Sequence, residues 1–162
     1  GSRGSVIPFF ISIAKDKVLP ITDNRMTRFM ISLEEGVELV WHAFDDMKGG
    51  EIYVKKIPSM KVTDVALAVD ENTKQEEVGI RPGEKLHEQM IGVEDALYTY
   101  EYPEHFKILP SINDWANDSE RIGLGIKVKS DFMYCSDSNK EWMSIEFLQD
   151  WIKENKNKIG NI

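Results

Sequence analysis

Apolar and polar residues change period several times along this chain, and each change marks an element. The run Val6-Ile7-Pro8-Phe9-Phe10-Ile11 predicts a helix over 6–14, with Pro8 in the first turn, where its missing N–H is harmless. Residues 18–22 read as a short strand. Ser32-Leu33-Glu34-Glu35 reads as a capping box, the serine capping the backbone and the glutamate reaching back. In the helix that follows, Leu33, Val37, Val40, Trp41 and Phe44 fall at helical spacing on one face. Gly49-Gly50 ends that unit, and residues 51–55 alternate around Ile52 and Val54 as a strand does. Thr63 or Ser59 would cap the next helix, which carries Val65, Ala66, Leu67 and Val69. Residues 76–80 read as a strand, and 84–90 as a helix started by Pro82-Gly83. Residues 98–102 and 106–109 read as strands. Ser144 starts a last helix with Ile145, Leu148, Trp151 and Ile152 on one face. Strands and helices interleave, so the class is mixed α and β.

Composition narrows the partners. The 162 residues suffice for one domain with a core, and neither repeats nor an internal linker interrupt them. A net charge of −8 argues against non-specific nucleic-acid or anionic-membrane binding, though it leaves a local basic pocket open. The single Cys135 cannot form an internal disulfide, which fits a reducing compartment. No apolar run reaches the ~18 residues of a membrane span, and the apolar opening has no signal-peptide flanks. The one charge-rich tail runs over 153–158.

Catalytic sets are missing from the pattern. His42, His87 and His105 lack metal-ligand spacing, and Asp45-Asp46 and Glu34-Glu35 read as solvated faces or caps. There is no nucleophile elbow, no P-loop and no glycine-rich dinucleotide fingerprint. Four residues after the five tyrosines stand Ile57, Tyr102, Glu104, Phe106 and Ser138, so no Tyr-x-x-x-Lys pair is present.

What remains are binding groups. Gly1-Ser2-Arg3-Gly4-Ser5 leads into a helix; it reads as a turn with Ser5 as N-cap, or as backbone N–H groups open to an anion. Arg25 and Arg28 stand three apart beside a turn, placed for phosphate or for surface ion pairs. In Arg81-Pro82-Gly83-Glu84, proline fixes the backbone and glycine permits a sharp turn. That places Arg81 at a strand end, where it can meet a diphosphate, and Glu84 in a first helical turn, where it can accept from ribose hydroxyls. The alternative is an Arg–Glu pair that only fixes the turn.

At these residues the chain resembles the C-terminal part of an extended short-chain dehydrogenase/reductase. More narrowly, it is similar to the UDP-N-acetylglucosamine 4,6-dehydratase (inverting) family, which opens pseudaminic acid synthesis. The matching segments are GSRGSVIPFF at 1–10, LPITDNRMTRFMI at 19–31, GGEIYVKKIPSMKVTD at 49–64 and GIRPGEKLHEQMI at 79–91. Phe132-Met133-Tyr134 through Asn139, Trp142 and Met143 resemble that family's ending. Each motif alone is moderately specific; four in order are strong. Met30 departs from the aromatic residue of many relatives, and 113–129 has no matched counterpart, which leaves any oligomer contact there open.

The resemblance implies an α/β fold: residues 1–162 as the C-terminal, UDP-sugar-binding portion of a Rossmann-type protein, with 1–15 and 51–57 contributing to the edge of a Rossmann core that lies upstream of a native Gly1. It implies Arg28 and Arg81 as diphosphate ligands, Glu84 as a ribose contact, Thr22 against uracil, and Arg3, Ser5 and Val6 at the same nucleotide end. Catalytic residues would lie upstream, the cofactor would be NADP, and this piece alone would be inactive. The partners implied are a UDP-sugar, the N-terminal Rossmann portion and further copies in a homo-oligomer, with no nucleic acid and no membrane, in the cytoplasm. The parent reaction would oxidise C4 of the sugar, lose water across C5 and C6, and return the hydride to C6. A capsule- or glycan-related UDP-sugar dehydratase or epimerase, and a non-catalytic nucleotide-sugar-binding module, are the alternatives.

Overall fold

The computed structural model describes residues 5–112, 117–155 and 159. In chain order the elements are α1 (Val6–Ile13), a 3-10 turn (Ala14–Asp16), β1 (Val18–Ile21), β2 (Thr27–Phe29), α2 (Leu33–Asp46), β3 (Ile52–Lys55), β4 (Ser59–Lys61), α3 (Val62–Val69), β5 (Lys74–Glu77), β6 (Gln89–Ile91), α4 (Val93–Ala96), β7 (Thr99–Glu101), β8 (His105–Ile108), α5 (Ser119–Ile122), β9 (Ile126–Lys127), β10 (Tyr134–Cys135) and α6 (Ile145–Glu154). The class is mixed α and β, and the residues divide into two compact units, each assembled from separated segments. Residues 5–15 belong to one unit and 51–57 to the other.

The first unit gathers 1–30, 58–88 and 136–162. β1 runs parallel to β5, with Val18 opposite Lys74 and Ile21 opposite Glu77, while β2 pairs antiparallel with β4. Their inner side chains meet α1, α3 and α6 in a core around Phe10, Leu19, Ile21, Met60, Val65, Leu148 and Ile152. Leu19, Ile21, Met60 and Val65 are wholly buried, each stabilising by about 1.5–3 kcal/mol. The final helix is as expected: Ser144 Oγ accepts from the Phe147 N–H at 3.2 Å, and Leu148 and Ile152 face inward. The cap of α3 is not. Lys61 holds that position, because the Val62 N–H already donates to the Met26 carbonyl at 2.9 Å and the Ser59 hydroxyl accepts from Asn139 at 3.1 Å.

The second unit gathers 31–57 and 89–135. Its centre is an antiparallel sheet in the order β3-β8-β7-β9, beside a β6–β10 pair. On one face Phe106 packs against Phe132 and Tyr134, and the Tyr134 hydroxyl bridges the Ile57 N–H and carbonyl at 2.9 and 3.0 Å. The other face is polar at its heart. The Lys107 ammonium, its side chain only 5 % exposed, donates to Asp46 at 2.7 Å and to the Arg121 carbonyl at 2.8 Å, between the Tyr53 and Tyr102 rings. A buried cation needs such partners to offset its lost hydration.

Helix α2 carries the capping box read from the sequence: the Glu35 N–H donates to Ser32 Oγ at 3.1 Å and the Ser32 N–H to the Glu35 carboxylate at 2.8 Å. An apolar stripe at helical spacing ordinarily covers a core. In α2 it does not. Asp46 and His42, one turn apart, face the sheet, and Leu33, Val37, Val40, Trp41 and Phe44 lie on the opposite side, exposed.

Candidate functional site

All the described residues singled out for binding lie in the first unit. β5 ends at Glu77, short of the expected 80, and the Val78 N–H donates back to the Ile21 carbonyl at 2.8 Å. The chain then turns twice through positive φ, at Gly79 (87°) and Gly83 (83°). Pro82 and Gly83 occupy the two central positions of a tight turn closed by the Glu84 N–H on the Arg81 carbonyl at 3.0 Å. Proline followed by a positive-φ glycine is the signature of a type II turn. The Glu84 carboxylate folds back to accept the Arg81 N–H at 3.3 Å.

Residues 84–90 are not the helix that their pattern predicts. A helix would direct the carbonyls of Lys85 and Leu86 to N–H groups four residues on. Here a side chain takes them. Arg28 Nη2 donates to the Lys85 carbonyl at 3.0 Å, and Nη1 donates to Leu86 at 3.2 Å and to its neighbour Thr27 at 2.7 Å. The Thr27 N–H adds a bond to the Leu86 carbonyl at 3.2 Å. Beyond, Glu88 exchanges bonds with Ser136: its N–H donates to Ser136 Oγ at 2.9 Å and its carbonyl accepts the Ser136 N–H at 2.8 Å. Glu84 therefore sits in an extended loop rather than in a first helical turn.

The geometry joins Arg28, Glu84 and the Arg81 turn. Arg28 Nη2 is 4.0 Å from the Glu84 carboxylate, and Nε is 3.6 Å from Glu88. With most of its five N–H donors engaged, Arg28 fixes the loop. Arg81 differs: its side chain is exposed, and among the described residues its guanidinium has no hydrogen-bond or ion-pair partner. The alternative of an Arg81–Glu84 pair fixing the turn is met only through the backbone: the Glu84 carboxylate accepts the Arg81 N–H at 3.3 Å, and the guanidinium within 4.0 Å of Glu84 is that of Arg28.

Arg25 goes the other way. It clamps Asp23 through Nε (3.0 Å), Nη2 (2.7 Å) and its N–H (2.8 Å), and these bonds hold the Asp23 carboxyl down at about 2. Thr22, half-buried, leads from β1 into this clamp, beside Asn24, which bonds Glu77. Ser5 caps α1 by position but not by hydrogen bond, and its Oγ is buried without a partner among the described residues. Val6 opens α1 and packs on the core. No hydrogen bond or ion pair among the described residues brings Ser5, Val6 or Thr22 to Arg28, Arg81 or Glu84. Arg3 lies outside the described residues.

A buried staple under the loop escaped sequence reasoning. Thr27 Oγ1 is 2.8 Å from His87 Nδ1 and 2.7 Å from the fully buried Ser136 hydroxyl. These partners stand 60 and 109 residues apart, so no local pattern links them.

A nicotinamide dinucleotide needs a glycine-rich turn from a strand into an open helix N-terminus. The N-terminus of α2 is filled by its own Ser32–Glu35 box, and Ser144 fills that of α6. Gly92, between β6 and α4, leads into a single turn bearing Glu94 and Asp95, whose carboxylates repel phosphate. The starts of α2, α4 and α6 do not fit the cofactor, and residues 1–4, ahead of α1, lie outside the described residues, so no chemical step is derived through it.

Comparison with known proteins now bears on the site. A family model described as "Polysaccharide biosynthesis protein" matches residues 1–110. The chain belongs to this polysaccharide biosynthesis family. It is 52% identical over 151 residues to a UDP-N-acetylglucosamine 4,6-dehydratase (inverting) of Campylobacter jejuni serotype O:2, covering 89% of this chain and 45% of that protein. The serotype O:23/36 protein of the same name is 50% identical over 159 residues, covering 94% and 48%. A UDP-glucose 4-epimerase of Rickettsia felis is 43% identical over 99 residues, 58% of this chain and 29% of that one. Among solved structures, Pen from Bacillus thuringiensis superposes with a TM-score of 0.75 at 32% identity, over 95% of this chain and 45% of that chain. The family member described here thus spans about half the length of the curated dehydratases it matches. No helix among its described residues is long and apolar enough to cross a membrane.

Proposed function

We propose that this chain is the nucleotide-sugar-binding portion of a UDP-N-acetylglucosamine 4,6-dehydratase that serves surface-glycan synthesis, within a longer NADP-dependent protein that inverts C5. The observation that carries the reading is the Arg81 turn: a guanidinium with no partner among the described residues on a type II turn, beside a carboxylate that Arg28 and the Arg81 N–H hold in place. In this reading Arg81 grips the diphosphate through two parallel charged hydrogen bonds. Glu84 accepts from the ribose hydroxyls, and Arg28 orients the loop and completes the anion contact with its remaining donor. Thr22, Arg3, Ser5 and Val6 belong to the uridine end. Binding energy from the nucleotide then positions a sugar ring whose bonds are broken by residues elsewhere in the parent protein.

Calorimetric titration with UDP tests it. Arg81→Ala weakens binding by about 1.5–3 kcal/mol, the value of a hydrogen bond to a charged group, and leaves stability unchanged. Unaltered affinity would remove Arg81 from the site. The likeness to UDP-glucose 4-epimerases supports a second reading in which the parent protein epimerises C4. Product analysis separates the two: a 4-keto-6-deoxy sugar from UDP-N-acetylglucosamine, or an unoxidised epimer from UDP-glucose.

A further inference from the structure

We propose that His87 is a positioning residue of the nucleotide site: an imidazole that carries its proton on Nε2 and ends, at Nδ1, a closed circuit of hydrogen bonds holding the binding loop to β2. The inference rests on the functional reading above in taking residues 79–88 as the nucleotide-binding loop. Every residue in the circuit lies in the first unit.

One backbone donor sets the direction of the circuit. The Glu88 N–H can only donate, so Ser136 Oγ accepts from it at 2.9 Å. Thr27 Oγ1 stands 2.7 Å from Ser136 Oγ and 2.8 Å from His87 Nδ1. Each hydroxyl has a single proton to place. With Nδ1 bare, Thr27 donates to Nδ1, Ser136 donates to Thr27, and every short contact is a bond. All of them run one way, from the Glu88 N–H through Ser136 and Thr27 to the imidazole. Bonds aligned in this manner polarise and strengthen one another. The peptide bond between His87 and Glu88 closes the circuit.

The other tautomer breaks this order. A proton on Nδ1 must be donated to Thr27 Oγ1, which turns the Thr27 hydroxyl toward Ser136. The Ser136 proton is then left with the Thr27 carbonyl at 3.3 Å, an oxygen that already accepts from Arg28 at 2.7 Å. Thr27 is 3% and Ser136 0% exposed, so solvent offers no replacement. Nor does charge call for an imidazolium. Of the carboxylates near His87, Asp23 is clamped by Arg25, and Glu84 and Glu88 stand against Arg28.

The circuit adds what Arg28 alone lacks. Arg28 takes the carbonyls of Lys85 and Leu86. The circuit fixes the next two residues, one by its side chain and one by its N–H. Held at successive residues, the segment keeps its direction as well as its place. The Glu84 carboxylate and the Arg81 N–H that it accepts, just upstream, are set by that direction.

Nitrogen-15 NMR of the His87 imidazole in the full chain, at about pH 8, reads the tautomer without a substitution. The expected spectrum shows Nδ1 unprotonated and Nε2 protonated; the reverse would overturn the inference. Asparagine can bring a carbonyl oxygen to the place of Nδ1, whereas the longer glutamine amide comes to the place of Nε2. His87→Asn therefore keeps amide protection at Glu88 and Ser136 and keeps UDP affinity, while His87→Gln and His87→Ala lose at least about tenfold in both. Amides of the β1–β5 pair, in the same unit, are the control for folding. Equal loss in His87→Asn and His87→Ala would reduce His87 to a packing residue and overturn the proposal. So would unchanged UDP affinity in His87→Gln with protection lost. A native chain with this tautomer and no affinity for UDP would fail the functional reading and not the circuit.

Discussion

Two arginines share one loop, and separating their roles is the sharpest test of the site. Arg28→Lys keeps the charge and removes the fork. In the native chain that fork makes bonds of 2.7, 3.2 and 3.0 Å to the carbonyls of Thr27, Leu86 and Lys85. An ammonium on a shorter stem can keep one of them. The two lost bonds would each be worth about 1.5–3 kcal/mol if the carbonyls stayed dry. The Arg28 side chain is 22% exposed, so water rehydrates part of the loss. We take about 2 kcal/mol as the net cost to closing the loop, roughly thirtyfold in the opening equilibrium. Amide hydrogen exchange reads this directly. The Thr27 N–H bonds Leu86, the Glu88 N–H bonds Ser136 Oγ and the Ser136 N–H bonds Glu88. In Arg28→Lys these amides lose about thirtyfold protection, while amides of the β3–β8 ladder do not change. UDP affinity falls with them, because Glu84 loses its anchor. In Arg81→Ala, affinity falls with exchange unchanged. Unaltered protection in Arg28→Lys would refute the assignment of loop position to Arg28, and altered protection in Arg81→Ala would refute the claim that its side chain is unengaged.

Other outcomes follow from the same geometry. Ser136→Ala leaves the Glu88 N–H and Thr27 hydroxyl without their buried partner and destabilises by about 1–3 kcal/mol, measured by denaturant unfolding. Gly83→Ala forces a side chain to a φ of 83° and costs about 1–2 kcal/mol in the same assay, although open space surrounds the position. Burial, helped by nearby His42 and Lys107, lowers the His105 pKa from 6.5 to about 4. The unfolded chain therefore binds more protons between those values, so stability conferred by neutral His105 is complete above pH 6.5 and is lost as pH falls toward 4. His105→Gln flattens the stability profile across that window; an unchanged profile would exclude His105 as its source.

The sequence pattern held where an element is stabilised by its own residues and failed where a distant partner decides. The capping box at Ser32, the serine start of α6 and the proline–glycine turn at 81–84 are short-range devices, complete within four residues. Strands β1 and β3 and the Thr99–Ile108 hairpin lie close to where they were expected, whereas β5, all polar over Lys74–Glu77, starts two residues before and ends three residues before the expected 76–80. The segment 84–90 reads as a helix only while its carbonyls are assumed free; Arg28, more than fifty residues earlier, claims them. The same blindness hid Thr27 and Ser136, whose hydroxyls look like ordinary surface groups until the fold brings them together. For α2 the spacing was right, and the face it defines is exposed among the described residues. Periodicity says that a face is apolar, and only packing says what covers it.

The two arginines that looked equivalent in sequence divide along this line. A guanidinium with all its donors open is mobile, and holding it in one geometry for an anion carries an entropic cost. This loop lowers only the backbone part of that cost for Arg81 and leaves its side-chain rotamers free. Pro82 and Gly83 set the backbone, the Glu84 carboxylate holds the Arg81 N–H, and Arg28 fixes the carbonyls that follow. Arg28 is the more constrained residue, and in the proposed site it is the poorer ligand; Arg81 is the less constrained and, in that reading, the better one. Conservative replacement should therefore be tolerated in opposite order: Arg81→Lys retains part of the UDP affinity as a point charge, whereas Arg28→Lys loses the fork geometry on which the loop depends.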